Sequence, residues 1–139
     1  MAVQRAARGA PATALLRRYA QSTAPAGSDV ALRIVGAAES GKLNFRFRKK
    51  TGPTNVLSFP YGAGSGDVVL CHPVIAREAR KQGKSLRAHY AHLVVHGLLH
   101  LRGHDHLRSG DASRMERAEI RILRRLGFDN PYQWHAAVK

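Results

Sequence analysis

The sequence has little cysteine, few acidic residues and no long apolar run. Its single cysteine, Cys71, excludes an internal disulfide and is typical of a reducing compartment, so we expect a cytoplasmic protein. No apolar stretch approaches the roughly 20 residues that span a bilayer, which predicts that the chain has no membrane-spanning helix. The 139 residues, 44% of them hydrophobic, are typical of one globular domain with a modest core.

The scarcity of acidic residues leaves a strong positive charge. Nine Asp and Glu stand against 23 Lys and Arg, which gives a net charge of +14. A field of this sign attracts polyanions, of which nucleic acid is the commonest large one. Solubility and a codon bias towards Arg and Ala are the alternative explanations, and charge alone does not distinguish RNA, DNA and a membrane surface.

The most distinctive chemistry lies in the stretch 96–106, which reads HGLLHLRGHDH. His96 and His100 are four residues apart and therefore share one face of a helix. Gly103 follows where helices commonly end in a left-handed residue, and the returning chain can bring His106 to the same point. Three neutral imidazoles with an open fourth position are typical of a catalytic zinc, so we expect one Zn²⁺ per chain. Another divalent metal, or a closed structural site, is the alternative.

The same stretch departs from the metallopeptidases at one position. Its spacing matches the long zincin pattern, H-E-x-x-H-x-x-G-x-x-H, except that Gly97 stands where that pattern has glutamate. That glutamate is the general base of the peptidases. Gly97 therefore argues against a metallopeptidase.

The remaining patterns predict an α+β fold. We expect a basic N-terminal segment, 1–28, with a short helix over 13–21, followed by a domain over 29–139. Strands are predicted over 29–35, 55–59 (stopped by Pro60) and 67–71, with a short helical or irregular turn over 39–47. Helices are predicted over 73–82, from a Ser85 cap to 102, and after His106 up to Gly127. This order predicts a single domain with a small mixed β-sheet covered by helices, around a central metal-bearing helix.

Several motifs resemble the YbeY family of metal-dependent endoribonucleases, which act in bacterial ribosomal RNA maturation and ribosome quality control. They are TNVLSFP at 54–60, Gly66-Asp67, HYAH at 89–92 and the histidine stretch, and the resemblance covers about 29–132. It implies a metal held by His96, His100 and His106. It also implies single-strand-specific cleavage in 16S rRNA 3′-end maturation. The implied partners are single-stranded and ribosomal RNA, the small ribosomal subunit and its assembly factors, and no membrane.

The resemblance also implies an active-site arginine, Arg48, in the segment LNFRFR at 43–48. A guanidinium there would stabilise the charge that develops on a scissile phosphate. We expect Asp105 to orient a ligand imidazole, and His104 is a candidate proton shuttle. His92 is interpreted as a packed or hydrogen-bonded residue, not as a fourth ligand. The nucleophile is either water or the 2′-hydroxyl of RNA, and a non-catalytic assembly factor with a structural zinc is the alternative function.

Two further groups of bases bear on RNA binding. Arginines at 114, 117, 121 and 124 share one face of the last helix. Such a face usually serves only to be solvated, and the alternative is that it extends a groove that binds a polyanion. The predicted RNA-binding residues lie in two other segments and are Lys42, Arg46, Lys49, Lys50, Arg77, Arg80, Lys81, Lys84 and Arg87.

Overall fold

The computed structural model describes residues 1–103 and 109–132. In this part the chain forms four strands and five helices. The strands are β1 (Ala2–Arg5), β2 (Val30–Val35), β3 (Val56–Gly62) and β4 (Ser65–Cys71). The helices are α1 (Thr13–Gln21), α2 (Ala37–Arg48), α3 (His72–Gln82), α4 (Leu86–Leu101) and α5 (Ser109–Arg125). None of these helices is long and apolar enough to cross a membrane.

The strands form one mixed sheet in the order β1-β2-β4-β3. The first three strands in this order are parallel, and β3 pairs antiparallel with β4 at the edge. The predicted mixed sheet is therefore confirmed. β1 was not predicted, because its four residues are mostly exposed and show no apolar alternation.

Alternate residues of β4 face the two layers of the molecule. Val68 and Leu70 belong to the larger core, formed with α1, α4 and α5, whereas Val69 and Cys71 belong to a smaller one beside α2. This follows from the two-residue period of a strand. Each fully buried aliphatic side chain stabilises the fold by about 1.5–3 kcal/mol relative to its exposed state. The sheet thus lies between α2 on one face and α4 with its neighbours on the other.

α4 is the central helix, as predicted. Ser85 caps it, and its Oγ accepts a hydrogen bond of 3.0 Å from the backbone N–H of Ala88. Ten of its sixteen residues are buried, because the sheet, α1, α3 and α5 surround it. This burial fixes the positions of the histidines that the helix carries.

Of two local predictions, the helical alternative for 39–47 was right but too short, and the end of a strand at Pro60 was wrong. Segment 39–47 is part of the regular twelve-residue helix α2, whose buried positions Ser40 and Asn44 are polar and so gave no apolar period. β3 continues through Pro60 to Gly62. Proline lacks an N–H, but an edge strand needs no donor on its outer side.

Candidate metal centre

Four histidines follow one another along α4. The ring centroids of His89, His92, His96 and His100 are separated in turn by 6.2, 6.1 and 4.7 Å. His89 is buried, whereas His96 and His100 are partly exposed. The row therefore leads from the core to the surface of the domain.

The two histidines at the surface end face each other through the same ring nitrogen. His96 Nε2 lies 3.1 Å from His100 Nε2. Two imidazoles on one tetrahedral zinc, at bond lengths near 2.0–2.1 Å, hold their nitrogens about 3.3 Å apart. This pair therefore has the separation that a shared metal requires. The other predicted site residues of this stretch, His104, Asp105 and His106, lie outside the described residues.

A buried carboxylate, Glu119 of α5, is hydrogen-bonded to two histidines of this row. Its side chain is 1% exposed, and its Oε2 lies 2.9 Å from His96 Nδ1 and 3.0 Å from His92 Nε2. Its Oε1 accepts a hydrogen bond of 2.6 Å from the hydroxyl of Tyr132. A carboxylate on one nitrogen of an imidazole directs the other nitrogen towards a metal. His92 is accordingly hydrogen-bonded to Glu119.

The electrostatics of Glu119 follow from these contacts. Burial alone would raise the pKa of its carboxyl, but the hydrogen bonds with His92 and His96 outweigh burial and lower the pKa to about 2. An ionised carboxylate only accepts hydrogen bonds, so the facing nitrogens of both histidines donate to it. His96 then carries its proton on Nδ1, which leaves the lone pair of Nε2 directed at His100.

Sequence reasoning missed Glu119, although a signal was present. Glu119 lies four residues after Met115 and three before Ile122, so the three share one face of α5, and all three are buried. An acid on the apolar face of an amphipathic helix indicates a partner inside the fold. The linear sequence does not say which partner that is.

His92, His96 and Glu119 also form a group that can hold a metal ion. Each offers one ligand atom, and these atoms all lie within 4.8 Å of one another. Imidazole nitrogens and carboxylate oxygens are common ligands of divalent transition metals. His96 is shared by this group and by the His96–His100 pair.

A pocket of about 160 Å³ adjoins the outer histidines. Its lining residues come from the end of α2, the start of β3 and α4, and they are Arg48, Thr54, Asn55, Val56, Ser58, His96 and His100. The structure thus brings Arg48 to the same pocket as two of the three predicted metal ligands.

Hydrogen bonds fix the position of the loop residues that form one wall of this pocket. The Oγ of Ser40 donates to the carbonyl of Thr54 and accepts from its N–H, both at 3.0 Å. The amide of Asn55 donates to Glu78 at 3.1 Å, and Glu78 lies 2.8 Å from the ring of His89. The loop between α2 and β3 is therefore fastened to α2, α3 and α4.

The structure gives a steric reason for Gly97. A Cβ on this residue would lie 2.7 Å from Val68 Cγ1 and 3.2 Å from Ser58 Oγ. Ser58 Oγ also donates a hydrogen bond of 3.1 Å to the carbonyl of Gly97. The helix packs so closely on the sheet that the glutamate of the peptidase pattern has no space there.

The other predicted RNA-binding bases do not line this pocket. Lys42, Arg46, Lys49 and Lys50 are exposed on α2 and just after it. The second group lies along α3 and the start of α4, where Lys84 is partly buried and the rest are exposed: Arg77, Arg80, Lys81, Lys84 and Arg87.

Two exposed aromatic rings lie among the bases of α2. Phe45 is 62% exposed and Phe47 is 55% exposed. Phe47 packs edge-on against Phe59 with ring centroids 5.2 Å apart, and the guanidinium of Arg46 lies 5.3 Å from the centre of its ring. Exposed aromatic rings that lie between basic side chains are typical of surfaces that bind single-stranded nucleic acid.

The fold and the site define a single-domain α+β protein in which histidines that could hold a metal lie beside an arginine. The profile of the family described as Endoribonuclease YbeY matches residues 4–127. The chain belongs to the YbeY family. The match includes half of β1 and all of α1, so it begins well before residue 29, where the resemblance of the sequence motifs begins.

Individual relatives agree with this assignment. The chain is 47% identical to Endoribonuclease YbeY of Methylococcus capsulatus, over 96% of this chain and 95% of that protein. It is 49% identical to Endoribonuclease YbeY of Aromatoleum aromaticum, over 88% of this chain and 81% of that protein. The solution structure of TM1509 from Thermotoga maritima shares the fold, with a TM-score of 0.53 at 20% identity over 94% of this chain and 99% of that one.

Proposed function

We propose that the chain is a metal-dependent endoribonuclease that cleaves single-stranded RNA in 16S rRNA 3′-end maturation and ribosome quality control. One observation carries the proposal: the guanidinium of Arg48 and the imidazoles of His96 and His100 line one pocket. A metal and an arginine on the same phosphate are a recurring means of stabilising charge in phosphoryl transfer. Relatives named Endoribonuclease YbeY support the same activity.

We assign the metal to His96 Nε2 and His100 Nε2, with His106 as the third ligand. The 3.1 Å between the two described nitrogens suits a shared ion. Glu119 is assigned an orienting role, because its carboxylate already accepts hydrogen bonds from His92, His96 and Tyr132. When bound, the metal supplies a Lewis acid for a phosphoryl oxygen or a water molecule. Three imidazole ligands favour zinc among the available divalent metals.

Arg48 is assigned to the phosphate. It is the last residue of α2 and is exposed beside the pocket, and none of the ion pairs among the described residues includes it. Its planar guanidinium can therefore pair with two oxygens of a phosphate group and oppose the charge that develops on them.

The preference for unpaired RNA is assigned to the exposed rings of α2. Phe45 and Phe47 lie among five exposed basic residues of the same helix and its end. Stacking on such rings contributes about 1–3 kcal/mol per base and is available only to bases that are not paired. The pocket, at about 160 Å³, is also too small for a double helix.

The test combines metal analysis with cleavage of a labelled single-stranded RNA. His96→Ala, His100→Ala and His106→Ala should each lose the metal and the activity. Arg48→Ala should keep the metal and the fold, and its single-turnover rate should fall by about 10²–10³, the usual effect of removing one preorganised electrostatic donor. Arg48→Lys should restore little, because an ammonium lacks the planar geometry.

Lys49→Ala is the matched control for Arg48→Ala, since it removes one neighbouring exposed charge. It should bind RNA slightly more weakly and cleave at the normal rate when RNA is saturating. Equal rates in the two variants would remove Arg48 from the reaction. A metal-free protein that cleaves normally, or a His100→Ala variant that loses only thermal stability, would contradict a catalytic metal.

A further inference from the structure

The outer side of α5 carries a row of arginines that the proposed reaction does not use. We call it the arginine face. Its members are all exposed, and they are Arg114, Arg117, Arg121, Arg124 and Arg125. The first four recur every three or four residues, Arg125 follows directly, and together they span about 16 Å at the helical rise of 1.5 Å per residue.

The arginine face adjoins a cavity of about 350 Å³ between α5 and the end of α4. The floor of this cavity includes Leu99, Ala118 and Ile122, and guanidinium groups line its walls. One wall is Arg102, from the end of α4, which donates a hydrogen bond of 3.2 Å to the carbonyl of Thr23. Arginines from two elements thus surround one concavity.

The arginine face is directed away from the metal centre. Arg117 and Arg121 lie two residues before and after Glu119, so each is rotated by about 200° from it around the helix. Glu119 contacts His92 and His96 of α4. The cavity beside the arginine face also shares no lining residue with the pocket of Arg48, His96 and His100.

Four of the five arginines of this face belong to no ion pair within the described part of the chain. They are Arg117, Arg121, Arg124 and Arg125. Arg117, Arg121 and Arg125 follow one another at four-residue intervals, and like charges at this spacing repel one another. An anionic ligand with several charges would relieve this repulsion.

The composition of the face indicates the kind of anion. Surfaces that bind single-stranded nucleic acid combine basic side chains with exposed aromatic rings, as α2 does. The arginine face has no aromatic ring. The large hydrophobic residues that are exposed in the described chain lie elsewhere and are Met1, Phe45, Phe47, Tyr61 and Tyr132. Recognition through guanidinium groups alone fits a double helix, which presents its phosphates and hides its bases.

We propose that the arginine face binds the phosphate backbone of double-stranded RNA, at a site separate from the metal pocket. This inference rests on the proposed function, because the duplex would belong to the same folded RNA that presents a single strand to the pocket. The arginine face then acts as an anchor that raises affinity for structured RNA and leaves the chemical step unchanged.

The test compares two charge-matched double variants of the full chain. Arg117→Gln with Arg121→Gln removes two charges from the arginine face. Arg8→Gln with Arg17→Gln removes two exposed charges elsewhere. The first pair should weaken binding to a blunt-ended RNA duplex about tenfold and lower the slope of log affinity against log salt by about 1.8, at 0.9 per phosphate contact. The second pair should change neither.

Cleavage of a short single-stranded RNA separates this inference from the proposed function. Both double variants should cleave it at the normal single-turnover rate, and an inactive parent protein would refute the nuclease while leaving the duplex measurement intact. Equal loss of duplex affinity in the two pairs would overturn the arginine face as a site. So would displacement of the duplex by poly-glutamate or by phosphatidylglycerol vesicles at equal charge. If the first pair unfolds, Arg124→Gln provides the same measurement, with an expected slope change of about 0.9.

Discussion

Replacing Glu119 with glutamine tests how the metal centre is held. The side chain is 1% exposed and accepts hydrogen bonds from His92, His96 and Tyr132, so its position is fixed by three donors. Glutamine has the same shape but no charge, and one of its two acceptor oxygens becomes a donor. The amide can face Tyr132, whose hydroxyl then accepts in place of donating, and the two histidines are left to donate to a neutral carbonyl oxygen instead of a carboxylate. The ring of His96 loses the anion that holds its Nδ1 proton.

The expected magnitude follows from the role of an outer hydrogen-bond partner. Removing such a partner lowers metal affinity about 10–100-fold, which corresponds to about 1.4–2.7 kcal/mol. The metal-free protein should also lose about 1–3 kcal/mol of unfolding free energy, because two charge-assisted hydrogen bonds to a buried carboxylate become neutral ones. Metal affinity is measured by competition with a chromophoric chelator, and stability by urea unfolding.

Glu116→Gln is the control, since Glu116 is an exposed carboxylate on the same helix. This variant should bind metal like the parent protein. If Glu119→Gln also binds metal with parental affinity, Glu119 does not orient His96. If it loses metal as completely as His96→Ala, the carboxylate is itself a ligand, and the metal belongs to the group of His92, His96 and Glu119.

Two further perturbations test the packing around the site and the core beneath it. Gly97→Ala should lower the unfolding free energy by about 1–2 kcal/mol, since a Cβ only 2.7 Å from Val68 Cγ1 outweighs the gain in helix propensity; a more stable variant in urea unfolding would contradict the close packing. Burial and the nearby Arg5 lower the pKa of His72, whose ring is hydrogen-bonded to Tyr90 at 2.8 Å. As the pH falls, His72 therefore takes up a proton at a higher pH in the unfolded chain than in the folded protein. The free energy of unfolding should keep its full value above roughly pH 6.5 and decrease as the pH drops towards the folded pKa. His72→Gln should flatten this part of the profile, and an unchanged profile would exclude His72 as its source.

Local signals predicted the central helix well. The four histidines recur at the helical period, and Ser85 caps the helix as its sequence position indicates. Both features depend on residues within one or two turns of each other. The sequence therefore carries enough information to place His96 and His100 on one face without knowledge of the rest of the fold.

Features that depend on distant residues were not predictable in this way. β1 is a strand because it pairs in parallel with β2, about thirty residues later, and not because of its own composition. α2 turns a polar side inwards, where Asn44 donates a hydrogen bond of 2.9 Å to Gly52. Glu119 lies 27 residues from His92 and 23 from His96, so only the packing of α5 on α4 identifies its partners.

Gly97 affects both how closely α4 packs on the sheet and which side chains meet in the pocket. Because it has no side chain, α4 approaches β4 closely, and Ser58 of β3 ties the helix backbone to the edge of the sheet. The edge of β3 and the end of α2 form one wall of the pocket, and α4 forms the other. A larger residue at this position would push the walls apart and separate Arg48 from the histidines. The same close contact that leaves no space for a glutamate at position 97 therefore keeps Arg48 in one pocket with His96 and His100.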